Sequence, residues 1–299
     1  MSFMRGEWSV NKSEFLSSEP VRLFIKWIEP RLDKPGSFMH KYYMKRFCVN
    51  WQCDSIYSAY ELYQWPFTGT VPGKGQAISG ITFSDSYKFL DQLSKGLCQS
   101  IEKADAELSR QYSVEILKWG GVSQRNRNRI IEFGDDIIDY YKHVIKVLDI
   151  DHFDAKKCGK VIMNSGFTKI YAQLIDDFIM YDGRVGAALG LLIRQFCEDN
   201  GLNSVPDEVL FGYGTGREAQ TSATDRRNPG NEKYKFPRIT GNPRKHLLHN
   251  VKASWLLKQI IHGTESRFSQ LDNGLNALQA ALFMIGYDVT INLLSQEKY

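Results

Sequence analysis

The spacing of apolar residues limits the fold more than any other feature of the chain, because it follows the helical repeat along most of its length. From Ile130 to Leu148 the positions Ile131, Ile137, Ile138, Tyr141, Ile145 and Leu148 fall close to one face of a helix. Ser84 to Arg110 repeats the pattern with Tyr87, Leu90, Leu93, Leu97 and Ile101, opened by Ser84 and Asp85, residues that cap helix starts. Further helices are expected over 21–27, 42–63, 167–174, 185–197, 247–261 and 275–285. Extended backbone is expected only near Ala77 to Phe83, and strands do not alternate with helices. The expected class is therefore mostly α. With 42% hydrophobic and 24% charged residues over 299 positions, the chain can bury a core, which excludes disorder and fibrous repeats.

The longest apolar run, Val185 to Ile193, is too short to span a bilayer, so no membrane segment is expected. The start, Met1-Ser-Phe-Met-Arg-Gly-Glu-Trp8, has neither the apolar stretch of a secretory signal nor the character of a transit peptide, which points to the cytoplasm. Five cysteines, Cys48, Cys53, Cys98, Cys158 and Cys197, are odd in number and scattered, as suits reduced thiols. Their spacing provides no zinc or iron-sulfur ligand set, and no metal or cofactor is expected. Pro66 to Ser84 is rich in Gly, Pro, Ser and Thr and reads as a long connection. It divides the chain into an N-terminal region, 1–83, and a helical body, 84–299.

Charge is concentrated. The whole chain carries +4, yet Arg217 to Lys252 holds nine basic residues against three acidic ones, so the rest sums to −2. Arg226, Arg227, Lys235, Arg244, Lys245 and His246 lie in this stretch. Most of it, Gly212 to Asn242, is expected to be irregular surface backbone. A second cluster, Arg125, Arg127 and Arg129, alternates with Asn126 and Asn128 at the entry of a helix. Clustered cations of this kind are the electrostatic footprint of a nucleic-acid binder. Gly212-Tyr-Gly-Thr-Gly-Arg217 is not a phosphate loop, since it lacks the Gly-Lys-Ser/Thr ending and no strand precedes it.

The segment from Asn164 to Leu189 carries the chemistry. Ser165-Gly166-Phe167-Thr168 reads as a tight turn into a short helix, with the N–H groups of Gly166, Phe167 and Thr168 forming an anion site. Lys169 follows in the first turn, and Asp182-Gly183-Arg184-Val185 starts another helix. This arrangement resembles the helix-hairpin-helix DNA glycosylases, and most nearly a bacterial group similar to 8-oxoguanine DNA glycosylases. The resemblance rests on Ile116-Leu-Lys-Trp-Gly-Gly121, Ser165-Gly-Phe-Thr-Lys-Ile-Tyr171, Tyr181-Asp-Gly-Arg-Val185, Arg227-Asn-Pro229 and Ala253-Ser-Trp255. It departs from the superfamily in having a single hairpin glycine, Gly166, and a short interval from Lys169 to Asp182, which leaves Lys160 as a substitute for the lysine.

The resemblance implies a helix-hairpin-helix glycosylase core with a divergent N-terminal region. It also implies a monomer acting on double-stranded DNA in the bacterial cytoplasm, at the nucleoid when bound. Asp182 and Lys169 would be the catalytic residues, with Arg184 joining the basic residues named above as a DNA contact. The substrate the resemblance implies is an oxidised purine. The unmatched N-terminal region leaves room for a different pocket and a bulky modified base such as those of phage DNA, which would make the protein an antiphage defence factor. Breaking an N-glycosidic bond builds positive charge on the sugar, which an ionised carboxylate stabilises. Asp182 at a helix N-cap would be held in that state by N–H donors. A lysine beside the positive end of a helix is more easily deprotonated, so Lys169 could attack C1′ and add lyase activity. Base flipping requires a pocket, for which the ten aromatics between Phe38 and Phe67 are candidates. The competing reading is a non-catalytic DNA-binding module on the same scaffold.

Overall fold

A computed structural model describes residues 8–216, 225–239 and 241–290. Arg217 and Glu218 of the basic stretch lie outside the described residues. The fold is mostly helical, with eleven α-helices and three two-stranded antiparallel ladders among the described residues. The chain forms two compact units, each assembled from separated segments: 1–11, 64–180 and 243–251 make the first, and 12–63, 181–242 and 252–299 the second. The breaks fall at 63/64 and 180/181 rather than at 83/84, and the residues expected as a separate N-terminal region are shared between the units.

In the first unit, α4 (Phe83–Glu102) and α5 (Ala106–Trp119) pack against each other and against α8 (Phe167–Leu174), while α6 (Gln124–Glu132) and α7 (Ile137–Leu148) pack on α5. Phe89, Leu93, Leu97, Ile116, Tyr141, Phe167 and Tyr171 fill this core. The stretch 84–110, expected as one helix, is two. Ala104 takes a left-handed conformation with φ 55°, and Asp105 starts α5 by accepting from Leu108 N at 2.9 Å. The true cap of α4 is Thr82, in a capping box with Asp85. Because Ala pays a steric cost at positive φ that Gly does not, Ala104→Gly should raise unfolding stability by about 0.5–1 kcal/mol, read from a denaturant midpoint. The expected connection 66–84 contains a hairpin, β4 (Phe67–Thr70) with β5 (Ala77–Gly80). It lies close to α4 through Gly69, where a Cβ would meet the Phe89 ring at 2.6 Å, and Glu115 accepts from Thr70 N at 3.0 Å. The remaining ladder of this unit pairs β1 (Ser9–Asn11) with β6 (His152–Asp154).

In the second unit, α9 (Gly183–Asp199) is buried along almost its whole length and packs against α2 (Glu19–Asp33) and α11 (Gly274–Ile285). A short helix, α3 (Ile56–Glu61), also packs on α11. The expected helix over 42–63 is largely a β-hairpin, β2 (His40–Met44) paired with β3 (Val49–Cys53). Its alternation of buried and exposed residues along β2 is the period-two signature of a half-buried strand. The described parts of the irregular stretch, 211–216 and 225–239, form a packed strap. Phe211, Tyr213, Tyr234 and Ile239 are buried, and a Cβ at Gly190 of α9 would meet Pro229 Cβ at 2.9 Å. Arg194, 2% exposed, donates from Nη1 to the Pro229 carbonyl at 3.1 Å and pairs with Glu198 at 3.4 Å.

α10 (Pro243–Gly263) contributes 243–251 to the first unit and its remainder to the second. Lys252 on this helix is buried, lies 5.2 and 5.5 Å from the ring centroids of Phe15 and Phe211, and donates to the Asp207 carbonyl at 3.2 Å. Burial lowers its pKa to about 8, opposed by Glu208 and Asp207. An unfolded lysine holds its proton to about pH 10.4. From pH 8 to about 10.4 the unfolded chain therefore binds more protons than the folded one, and stability rises with pH across that window. Lys252→Met should stabilise the fold by roughly 1–3 kcal/mol at pH 7. Paired denaturant titrations at pH 7 and pH 10 should show that advantage shrinking.

Candidate functional site

In the first unit, α8 starts from a turn built by Asn164. Its Oδ1 accepts from Gly166 N at 2.7 Å and Phe167 N at 3.1 Å, while Thr168 N donates to the Asn164 carbonyl at 3.1 Å and Lys169 N to the Gly166 carbonyl at 3.0 Å. This corrects the expected anion site. The N–H groups of Gly166, Phe167 and Thr168 have acceptors within the turn, all three residues are buried, and the Thr168 hydroxyl donates to Asn250 Oδ1 at 2.6 Å. The missed residue is Asn164, whose side chain supplies the cap; an Asn two positions before a Gly is the signal for such a turn.

Lys169 is enclosed, with 6% exposure, and its Nζ donates to the Ser165 carbonyl at 2.7 Å. Its stem crosses Gly120, where a Cβ would lie 2.7 Å from Lys169 Cε. The Trp119-Gly120-Gly121 piece of the sequence pattern thus has a physical reason, since a side chain at 120 would displace the lysine. Lys160, the substitute, is exposed.

α6 joins the same turn. Asn164 Nδ2 donates to Asn126 Oδ1 at 3.1 Å, and a Cβ at Gly166 would meet Asn126 Nδ2 at 2.5 Å. The structure therefore brings the Arg125/Arg127 cluster to the turn that precedes Lys169, with Arg125 exposed and Arg127 half-buried. On α10, Arg244 is exposed and Lys245 half-buried. His246 is only 4% exposed, so its expected contact with DNA is corrected: it belongs to the interior.

In the second unit, Asp182 is the N-cap of α9. Its Oδ1 accepts from Arg184 N at 2.9 Å and Val185 N at 3.2 Å, hydrogen bonds that stabilise negative charge at the carboxylate. The backbone around it is held by close glycine contacts. A Cβ at Gly183 would lie 3.0 Å from Gly214 Cα, and one at Gly186 would strike the Gly212 carbonyl. The Tyr181 hydroxyl donates to that same carbonyl. Gly214 is a glycine because the strap touches the first turn of α9 backbone to backbone, a Cβ there meeting Gly183 Cα at 2.8 Å, not because it cradles phosphate.

Arg184 projects from the same first turn onto aromatic rings, its guanidinium 4.4 Å from the Phe283 centroid and 4.9 Å from that of Tyr287. Tyr287 stacks on Tyr42 at 5.0 Å, and Tyr42 on Trp51 at 4.7 Å. Burial, then the neighbouring Arg227, lowers the Arg184 pKa to about 10, against the opposing charge of Asp182. Arg184 is therefore a partly desolvated cation on an aromatic column beside the carboxylate, rather than the open phosphate contact expected. Arg226 is likewise engaged within the unit, pairing with Asp288 at 3.7 Å while its carbonyl accepts from Val289 N at 2.8 Å. Arg227 is half-buried on that loop, and Lys235 is exposed.

No family model matches the chain, and no curated protein or solved structure matches it either. Among the described residues no group of three or more His, Cys, Asp or Glu could hold a metal ion, and no helix is long and apolar enough to cross a membrane.

Proposed function

We propose that the chain is a DNA glycosylase with a helix-hairpin-helix-like core, which flips a modified base out of duplex DNA and cleaves its N-glycosidic bond. The observation that carries the reading is Asp182, a half-buried carboxylate fixed by two N–H donors and accompanied by a guanidinium on an aromatic column. A carboxylate so held needs little reorganisation as positive charge develops on the sugar. Water attacking C1′ gives up a proton, the base departs with its bonding electrons and takes up a proton, and an abasic site remains. Lys169 is a separate part of the proposal: its Nζ would form a C1′ Schiff base and confer lyase activity. Oxidised purines and bulky modified bases of phage DNA are the proposed substrates, the second in antiphage defence.

The test is incubation of the full chain in EDTA with duplexes carrying a panel of modified bases, followed by alkaline cleavage at abasic sites. Product from at least one oxidised or bulky base, without added metal, is expected. Binding without product from any duplex would instead identify a non-catalytic module.

A further inference from the structure

The β2–β3 hairpin presents two faces of opposite character. Inward, Tyr42, Met44, Trp51 and Cys53 are buried, His40 Nε2 lies 3.0 Å from the Ile285 carbonyl, and the Tyr42 hydroxyl donates to the Met284 carbonyl at 2.8 Å. These contacts seat the hairpin on the end of α11, and through the Tyr42–Tyr287 stack they join it to the aromatic column that carries Arg184. Outward, the register sets Lys41 opposite Gln52 and Tyr43 opposite Asn50, all four exposed, and the tip adds exposed Lys45 and Arg46.

Two features of this outer face need a partner to explain them. Between Asp33 and Asp54 the chain has four cations and no acid; Lys34 precedes the hairpin, while Lys41 on β2 and Lys45 and Arg46 at the tip give the hairpin positive charge alone. Of the ten aromatics between Phe38 and Phe67, Tyr43 alone is exposed, at 47%. A tyrosine ring flanked by lysines and by the amides of Asn50 and Gln52 offers a stacking surface, phosphate-binding cations and polar hydrogen-bonding groups together. Nucleic acid uses all three, the ring stacking on a base, which a phospholipid headgroup does not offer.

We propose that the outer face of the β2–β3 hairpin is a DNA-contacting ribbon, in which Lys41, Lys45 and Arg46 bind the phosphodiester backbone and Tyr43 packs on a base or sugar. The inner face fixes the ribbon rigidly, so little ordering is needed on binding. The proposal rests on DNA being the partner but not on the chain being catalytic.

The experiment measures fluorescence anisotropy of labelled duplex and single-stranded DNA against full-length Asp182→Asn protein over a salt series. Three backgrounds are compared: Lys41→Gln/Lys45→Gln/Arg46→Gln, Tyr43→Ala, and a control neutralising three other exposed cations of the same unit, Arg22, Lys26 and Lys34. The ribbon triple variant should lose roughly three units of log Kd against log salt on duplex DNA, and Tyr43→Ala should weaken single-strand binding roughly tenfold. The control should keep the parent slope. Ribbon variants that bind DNA with the parent slope and affinity overturn the proposal, as does an equal loss in the control. Sedimentation with phosphatidylserine vesicles supplies a third contradiction, if the ribbon variants lose vesicle binding but retain DNA binding. Because the readout is binding, it is separate from base release. A glycosylase with a dispensable ribbon and a DNA binder without activity are distinguishable results.

Discussion

Asp182→Asn should abolish base release, by roughly 10³-fold or more, while leaving the fold as stable as before. Asparagine caps a helix about as well as aspartate, and its side-chain oxygen can still accept from Arg184 N and Val185 N, the bonds Asp182 makes. The substitution removes the negative charge and little else, separating the electrostatic role from the structural one. Single-turnover release of base and the thermal midpoint should be measured together. An unchanged midpoint with lost release is the expected pair. Asp182→Ala should also lose release, but with about 1 kcal/mol of stability because the cap is gone. Activity that survives in Asp182→Asn assigns the carboxylate to capping alone.

Lys169→Gln should eliminate the covalent complex trapped by borohydride. An unprotonated amine attacks C1′, and the base leaves with its bonding electrons and takes up a proton. The new ammonium loses a proton, and its nitrogen lone pair then expels the ring oxygen O4′, which is protonated, leaving a C1′ iminium that hydride reduces to a stable link between lysine and sugar. Lys169 is enclosed, with its stem over Gly120, which separates it from the exposed Lys160. Lys160→Gln should therefore trap as the parent does. Trapping that persists in Lys169→Gln and disappears in Lys160→Gln would reverse the assignment.

Long apolar repeats made the helical class legible. The expected 167–174 matches α8, and 185–197 lies within α9, because both carry their stripe without interruption. Failures arose where one residue's backbone or a short period decided the outcome. Ala104 at φ 55° breaks a stripe that runs on in phase, and the alternation of 40–44 was masked by aromatics that also suit a helix. The site was half legible. Asp182 at a helix start follows from the sequence, but the Asn164 cap that occupies the N–H groups of Gly166 and Phe167 reverses what a glycine turn alone suggests. Arg184 looked like a surface cation because its aromatic partners, Phe283 and Tyr287, lie about a hundred residues away. The burial of His246 was hidden by the charges around it.

The most direct test of the central claim is mass spectrometry of bases released from genomic DNA of bacterial hosts and of phages with modified genomes, with wild-type protein compared against Asp182→Asn. The account predicts that wild-type protein releases one chemical class of modified base as the free base, and that the variant does not. No free base from any DNA, or equal release by both proteins, would contradict it.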